Sequence, residues 1–241
     1  ENQGENQVQK KPRKLHGGDI YRHPEVIDFS VNTNPLGAPE SVKRAVQESV
    51  AKIEHYPDVR CEALREAISR FEQVNMEEIF CGNGAAELFF AAVQAVRPQK
   101  ALVIAPSFSE YEEALRSVGA EVEYYYLCEE DNFQIREDYV DKLSEEIDMI
   151  FLCNPNNPTG QTIDRDMLIK ILDRCKKQNI VVILDECFLE FLDEPNRYEM
   201  SDLRGEYPNL LIIKAFTKIF SMPGLRLGYA ISSNQDILEE M

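Results

Sequence analysis

The sequence predicts an α/β fold in three layers, with helices on both faces of a mostly parallel sheet. One observation behind this is a series of short, continuous apolar runs, such as Ala101-Leu-Val-Ile-Ala105 and Ile180-Val-Val-Ile-Leu184. Strands buried on both faces read this way, without polar alternation. The second observation is what separates the runs: stretches with apolar residues at helical spacing, such as Met167, Leu168, Ile171 and Leu172 on one face. Strand and helix periods that alternate along a chain imply parallel strands joined by covering helices.

Taken in order, residues 1–15 are polar and lack the apolar centre of a signal peptide. They read as a disordered or loosely docked leader. An N-terminal arm and helix are expected over 16–55, and a large domain over 56–233. Within these, helices are expected over 39–53, 61–74 and 85–96. The strand over 101–105 is ended by Pro106, and the helix over 109–118 is closed by Gly119. A strand over 121–127, a helix over 137–147 and a strand over 148–153 follow. The helix over 164–178 carries the Met167 face, and the strand over 180–184 comes after it. Further strands are expected over 210–213 and 227–231, and a helix starts near Asn234 and runs on through 241.

Composition narrows the function. Of 241 residues, 44% are hydrophobic, enough for a sizeable core. No apolar run approaches the roughly 18 residues of a membrane span. The net charge of −17 argues against nucleic acid or an anionic membrane as main partner. The six cysteines form no Cys-x-x-Cys pair, and most sit within apolar runs. They read as free thiols of a reducing cytoplasm, with no disulfide frame and no metal site.

In parallel sheets, ligands bind outside the carboxyl ends of the strands, and the suggestive residues fall there or at the helix starts facing them. Cys81-Gly-Asn-Gly84-Ala-Ala-Glu87 precedes the helix at 85, where glycines and a helix N-terminus suit an anion. Phe108, after the strand ended by Pro106, could stack on a flat ring or fill core. Asn154-Pro-Asn-Asn157-Pro-Thr-Gly160 is a turn frozen by prolines and glycine, able to aim the Asn157 amide at an oxygen. Asp185 ends a buried strand, a costly place for an acid without a partner. Lys218 lies just past the strand at 210–213, where desolvation would free its amine to capture an aldehyde, and Arg226 follows eight residues on with a donor fork for phosphate. An aldehyde to capture, a phosphate to hold and a pyridine nitrogen to pair with an acid are the demands of pyridoxal 5′-phosphate (PLP).

These motifs resemble those of the fold type I, PLP-dependent class I/II aminotransferases. The general set is Asn157-Pro-Thr-Gly160, Asp185-Glu186, Lys218 and Arg226. Phe29-Ser-Val-Asn-Thr-Asn34-Pro-Leu-Gly37 and His55-Tyr-Pro-Asp58 resemble the branch that holds histidinol-phosphate aminotransferase and threonine-phosphate decarboxylase. His16-Gly-Gly, Pro106-Ser-Phe-Ser-Glu-Tyr-Glu112, Phe188 and Met222-Pro-Gly-Leu-Arg226 are similar to the decarboxylase side. The resemblance covers the chain from about His16 onward and implies a PLP-transferase large domain, with a C-terminal small domain missing from a truncated chain.

It also implies roles. Lys218 captures the cofactor and then moves protons, and Asp185 pairs with the ring nitrogen. Asn157 bonds the ring oxygen, and Phe108 stacks on the ring. Gly84, Ala85, Ala86 and Arg226 hold the phosphate. Tyr56 reaches the phosphate of a neighbouring subunit, which implies a homodimer with shared sites. Asn34 and His16 lie by the substrate. The sequence departs from the family at Ala215, where a hydroxyl usually meets the phosphate, and at Phe188, where many members have a tyrosine. The expected activity is decarboxylation of a small phosphorylated amino acid, with transamination of the histidinol-phosphate kind as alternative and PLP binding without turnover as a third. A nucleotide-binding Rossmann protein is disfavoured, because no Gly-x-Gly-x-x-Gly follows the first strand.

Overall fold

Seven strands pair into one sheet, and the computed structural model describes residues 17–241. The chain forms α1 (Glu40–Ser49), α2 (Glu62–Glu72), β1 (Ile79–Gly82), α3 (Ala85–Val96), β2 (Lys100–Ala105), α4 (Glu110–Ser117) and β3 (Glu121–Tyr126). It continues through α5 (Asp138–Asp141), β4 (Met149–Cys153), α6 (Arg165–Gln178), β5 (Val181–Asp185), β6 (Leu210–Ala215), α7 (Phe216–Ile219), β7 (Gly228–Ile231) and α8 (Gln235–Glu240). The strand order is β1-β7-β6-β5-β4-β2-β3.

The sheet is mostly parallel, as expected, with one exception that matters for the site. β7 runs antiparallel to both β6 and β1. The connection after β6 stays at that strand's carboxyl end, where it forms α7 and the turn at Pro223–Leu225. This return path holds Lys218 and Arg226 at the end of the sheet where Asp185 ends β5.

Side chains alternate across the sheet, and two apolar layers result. Phe151, Ile183, Leu211 and Ile213 pack under α3, α4 and α8 with Leu88, Phe89, Tyr111, Leu115 and Leu238. Leu152, Leu184, Leu210 and Ile212 pack on the other face with Ile68 of α2 and Leu168, Ile171 and Leu172 of α6. The same alternation sorts the polar strand ends. Asp185 and Ala215 fall on the α3/α4 side, whereas Glu186 and Lys214 fall on the α2/α6 side.

Three expectations change. The helix over 137–147 is a single turn, α5, because Leu143 and Ile147 are buried on the way to β4 and Asp148 caps the start of β2 through the Gln99 and Lys100 amides. The helix over 39–53 ends at Ser49 and tightens into a 3₁₀ turn at Val50–Lys52. The edge strand β1 was not expected; its four residues are too few to show a period, and it is defined by pairing with β7. No helix among the described residues is long and apolar enough to cross a membrane.

Candidate active site

The carboxyl ends of β4, β5 and β6 and the start of α3 enclose one cavity. It is lined by Ala85, Ala86, Phe108, Asn157, Asp185 and Lys218 among others, with Arg226 at its rim. Seven of the residues singled out from sequence thus meet in one place. Gly84 belongs with them through Arg226. A Cβ on Gly84 would stand 2.5 Å from Arg226 Nη2, and the residue sits at φ +87°. The guanidinium therefore lies against the bare glycine, beside the free amides that open α3. Gly228 closes the turn from behind: a Cβ there would stand 3.1–3.2 Å from the Gly84 carbonyl carbon and the Ala85 nitrogen. An arginine at a helix N-terminus, with backbone that only glycine permits, forms an anion cradle.

The turn after β4 is rigid for a visible reason. Asn154 is buried and accepts the Ile163 amide at 2.8 Å. Asn156 donates to the Pro106 carbonyl at 3.1 Å and to Thr159 Oγ1 at 2.9 Å, tying this turn to the loop that carries Phe108. Asn157 is left to face the cavity.

Asp185 and Lys218 define the electrostatics. Burial pushes the Asp185 carboxyl above its ordinary range. The Cys187 thiol, the Tyr111 hydroxyl donating at 2.6 Å and the Cys187 amide donating at 2.9 Å pull it back, with the charge of Lys218 adding to them. Burial likewise holds the Lys218 amine below its ordinary value, with Arg226 adding to the effect, while Cys187 and Asp185 oppose it. Lys218 Nζ stands 5.4 Å from the centre of the Phe188 ring. A lysine held in this way has a larger neutral fraction and is a better nucleophile at neutral pH.

The other expected residues are placed differently. Tyr56 is 99% exposed and lines neither this cavity nor its neighbour. His16 lies outside the described residues. Asn34 lines neither this cavity nor its neighbour. Its backbone N–H donates to the Lys218 carbonyl at 2.9 Å, and its Nδ2 to the Ile219 carbonyl at 2.9 Å, so it ties the arm to the turn that carries Lys218. A second cavity shares Phe108, Asn157 and Lys218 with the first and is lined by Gly17, Val31 and Asn32 of the arm and by Glu110 and Glu113.

Several residues of the site were not legible from sequence. Phe89, Cys153, Cys187 and Thr217 line it, and Tyr111 bonds Asp185 from behind. For Tyr111 and Cys187 a signal existed: each stands at a spacing that returns to the inward face, three residues after Phe108 and two after Asp185. All six cysteines are free; Cys153, Cys175 and Cys187 are buried, but Cys61, Cys81 and Cys128 are only half-buried. Among the described residues no group of His, Cys, Asp and Glu side chains is placed to hold a metal ion.

A family model described as aminotransferase class I and II matches residues 24–241. The chain is similar to the threonine-phosphate decarboxylase of Salmonella typhimurium, with 38% identity over 234 residues covering 94% of this chain and 64% of that protein. It is similar to the histidinol-phosphate aminotransferase of Thermoanaerobacter pseudethanolicus, 33% identical over 242 residues, which cover 98% and 66%. The crystal structure of histidinol-phosphate aminotransferase from Clostridium acetobutylicum superposes with a TM-score of 0.81 at 33% identity, over 89% of this chain and 63% of that one. The chain thus spans less than two thirds of the length of these relatives.

Proposed function

The chain belongs to the class I and II aminotransferase family, and we propose that it acts on a small phosphorylated amino acid as a threonine-phosphate decarboxylase-like enzyme. The family's cofactor is PLP, and the residues present fit that group. The observation that carries the reading is one cavity holding a desolvated amine, a buried carboxylate and an arginine-backed helix N-terminus.

Each residue then has work that its position supports. Arg226 and the turn from Gly84 to Ala86 would hold the phosphate. Phe108 would stack on the ring, and Asn157 would donate to the ring oxygen. Asp185 would hold a proton at the ring nitrogen. When bound, PLP supplies an electron sink for the carbanion left by loss of an α-proton or a carboxylate. Lys218 would carry the cofactor and, once displaced by substrate, move a proton at Nζ. Asn34 would act by holding the Lys218 turn, and His16 is proposed to reach the substrate phosphate. Glu110 and Glu113 give the adjoining cavity an acidic wall, better suited to the substrate's ammonium end than to its phosphate.

Shared sites in a homodimer belong to the same proposal. Tyr56 is exposed between exposed Ile53 and Val59, and Phe29 and Leu36 of the arm are exposed as well. Apolar surface of this kind fits burial against a second copy.

Decarboxylation is supported by the 38% identity to a threonine-phosphate decarboxylase. Transamination is the second reading, supported by the likeness to two histidinol-phosphate aminotransferases. The full-length protein loaded with PLP is to be incubated with threonine phosphate, and with histidinol phosphate plus a 2-oxo acid as amino acceptor. Carbon dioxide release from the first supports the decarboxylase; keto-product formation from the second supports the aminotransferase. Neither product would leave PLP binding without turnover.

A further inference from the structure

We propose that Tyr111 is a positioning residue for this site: its hydroxyl keeps the Asp185 carboxylate charged and aimed into the cavity. The inference rests on the reading that PLP occupies that cavity.

Tyr111 is 0% exposed, and its O–H donates to Asp185 Oδ2 at 2.6 Å. Its ring has no freedom to turn away. It stacks on Phe151 at 4.8 Å and 18°, and meets Phe89 at 5.0 Å and Phe108 at 5.7 Å edge to face. The Cys187 amide donates to the other oxygen, Oδ1, at 2.9 Å. Each carboxylate oxygen so has a fixed donor, the Cys187 thiol lies beside them, and a carboxylate's four acceptor sites still leave room for a cavity ligand.

The chemistry of the donor matters. A buried carboxylate with no donors takes up a proton instead of staying charged. A lysine or arginine in place of Tyr111 would prevent that, but its charge would compete with a protonated ring nitrogen for the same carboxylate. A phenol donates a hydrogen bond and adds no charge. Burial, reinforced by the charge of Asp185, drives the Tyr111 hydroxyl well above its usual range, so it remains a donor at any working pH. Tyr111 also touches Phe108, so the first turn of α4 sets both the acid and the proposed stacking ring.

The test uses Tyr111→Phe, which keeps the three ring contacts and removes one oxygen. Asp185 is titrated in the PLP-free protein by infrared difference spectroscopy, its band assigned with Asp185→Asn. PLP dissociation constants are measured for wild type, both single variants and the double variant. Tyr111→Phe is expected to raise the Asp185 midpoint by about one pH unit or more and to weaken PLP binding about ten-fold or more. In the Asp185→Asn background the same change is expected to leave PLP affinity unaltered. An unmoved midpoint, or an equal loss of affinity without Asp185, overturns the proposal. A wild type that binds no PLP would sink the cofactor reading, and the carboxyl titration would then decide the Tyr111–Asp185 coupling alone.

Discussion

Gly84→Ala separates the anion cradle from the rest of the fold. The glycine sits at φ +87° and ψ 170°, a region that only glycine occupies readily. An alanine there costs about 1–3 kcal/mol in backbone strain. The added Cβ would also stand 2.5 Å from Arg226 Nη2 and 3.0 Å from its Cζ. That is less than contact distance, and Arg226 is the side that gives way, because its guanidinium is the end of a flexible chain held by one bond to the Pro223 carbonyl at 3.0 Å. The stability loss should show as a fall in melting temperature of about 2–4 °C per kcal/mol for a chain of this size. Loss of the charged phosphate contact, about 1.5–3 kcal/mol, should weaken PLP binding by roughly ten-fold to a hundred-fold. Fluorescence titration with PLP and thermal unfolding of the same preparation read the two effects apart. Gly205→Ala is the control, because nothing lies within 4 Å of a Cβ at that position; it should leave PLP affinity unaltered. A lowered melting temperature with unchanged PLP affinity would refute the cradle and leave Gly84 a purely structural glycine.

Ala215→Ser should tighten PLP binding several-fold, since it places a hydroxyl at a cavity-lining position beside the cradle; an equal or weaker affinity would show that the phosphate sits elsewhere. Borohydride reduction should trap PLP on Lys218, and peptide mapping that finds it on Lys214 would overturn the site, because Lys214 lies on the opposite face of the sheet. Glu186→Gln should stabilise the protein at pH 8 and little at pH 5. Burial holds the Glu186 carboxyl up at about 8, since Lys214 is taken by Glu72 at 2.9 Å and Glu199 at 2.7 Å while Glu186 stands 3.7 Å away. A carboxyl whose folded value exceeds its unfolded one favours the fold at low pH and loses that contribution as pH rises from about 4.5 to about 8. The variant removes a penalty on the order of 3 kcal/mol at neutral pH, and a gain in melting temperature that does not depend on pH would contradict the assignment. In heterodimers of Tyr56→Phe with Lys218→Ala subunits one site would be intact, so each heterodimer should have about half of the wild-type dimer's activity; heterodimers that form without recovery would place Tyr56 in its own subunit's site.

The layers of this fold follow from local properties of the chain. Runs such as Met149–Cys153 are apolar at every position, so they must be covered on both faces, and the helices between them carry one apolar face each. Turn chemistry is local too: Asn154 to Gly160 can form only a rigid loop, and Gly84 marks a conformation other residues avoid. Because ligands gather at the carboxyl ends of parallel strands, these local readings sufficed to bring Asp185, Asn157, Phe108 and the Gly84 turn to one end of the sheet. What the chain could not announce is whatever depends on partners distant in sequence. β1 is a strand because β7 lies beside it, and the helix after Glu137 stops because Leu143 and Ile147 are drawn into the core. Asn34 acts on Lys218 across 184 residues through a backbone bond. Two lysines four residues apart, Lys214 and Lys218, look alike in sequence; one lies among Glu72, Glu186 and Glu199 and the other faces Asp185, and only the strand's alternation and the turn into α7 decide which is which. Tyr111 has the spacing of any core aromatic, and its bond to Asp185 exists because the packing of α4 against α3 and β3 brings the ring to the end of β5. Local propensities and patterns are written residue by residue, whereas proton affinity, donor geometry and cavity shape are set by neighbours that tertiary packing supplies.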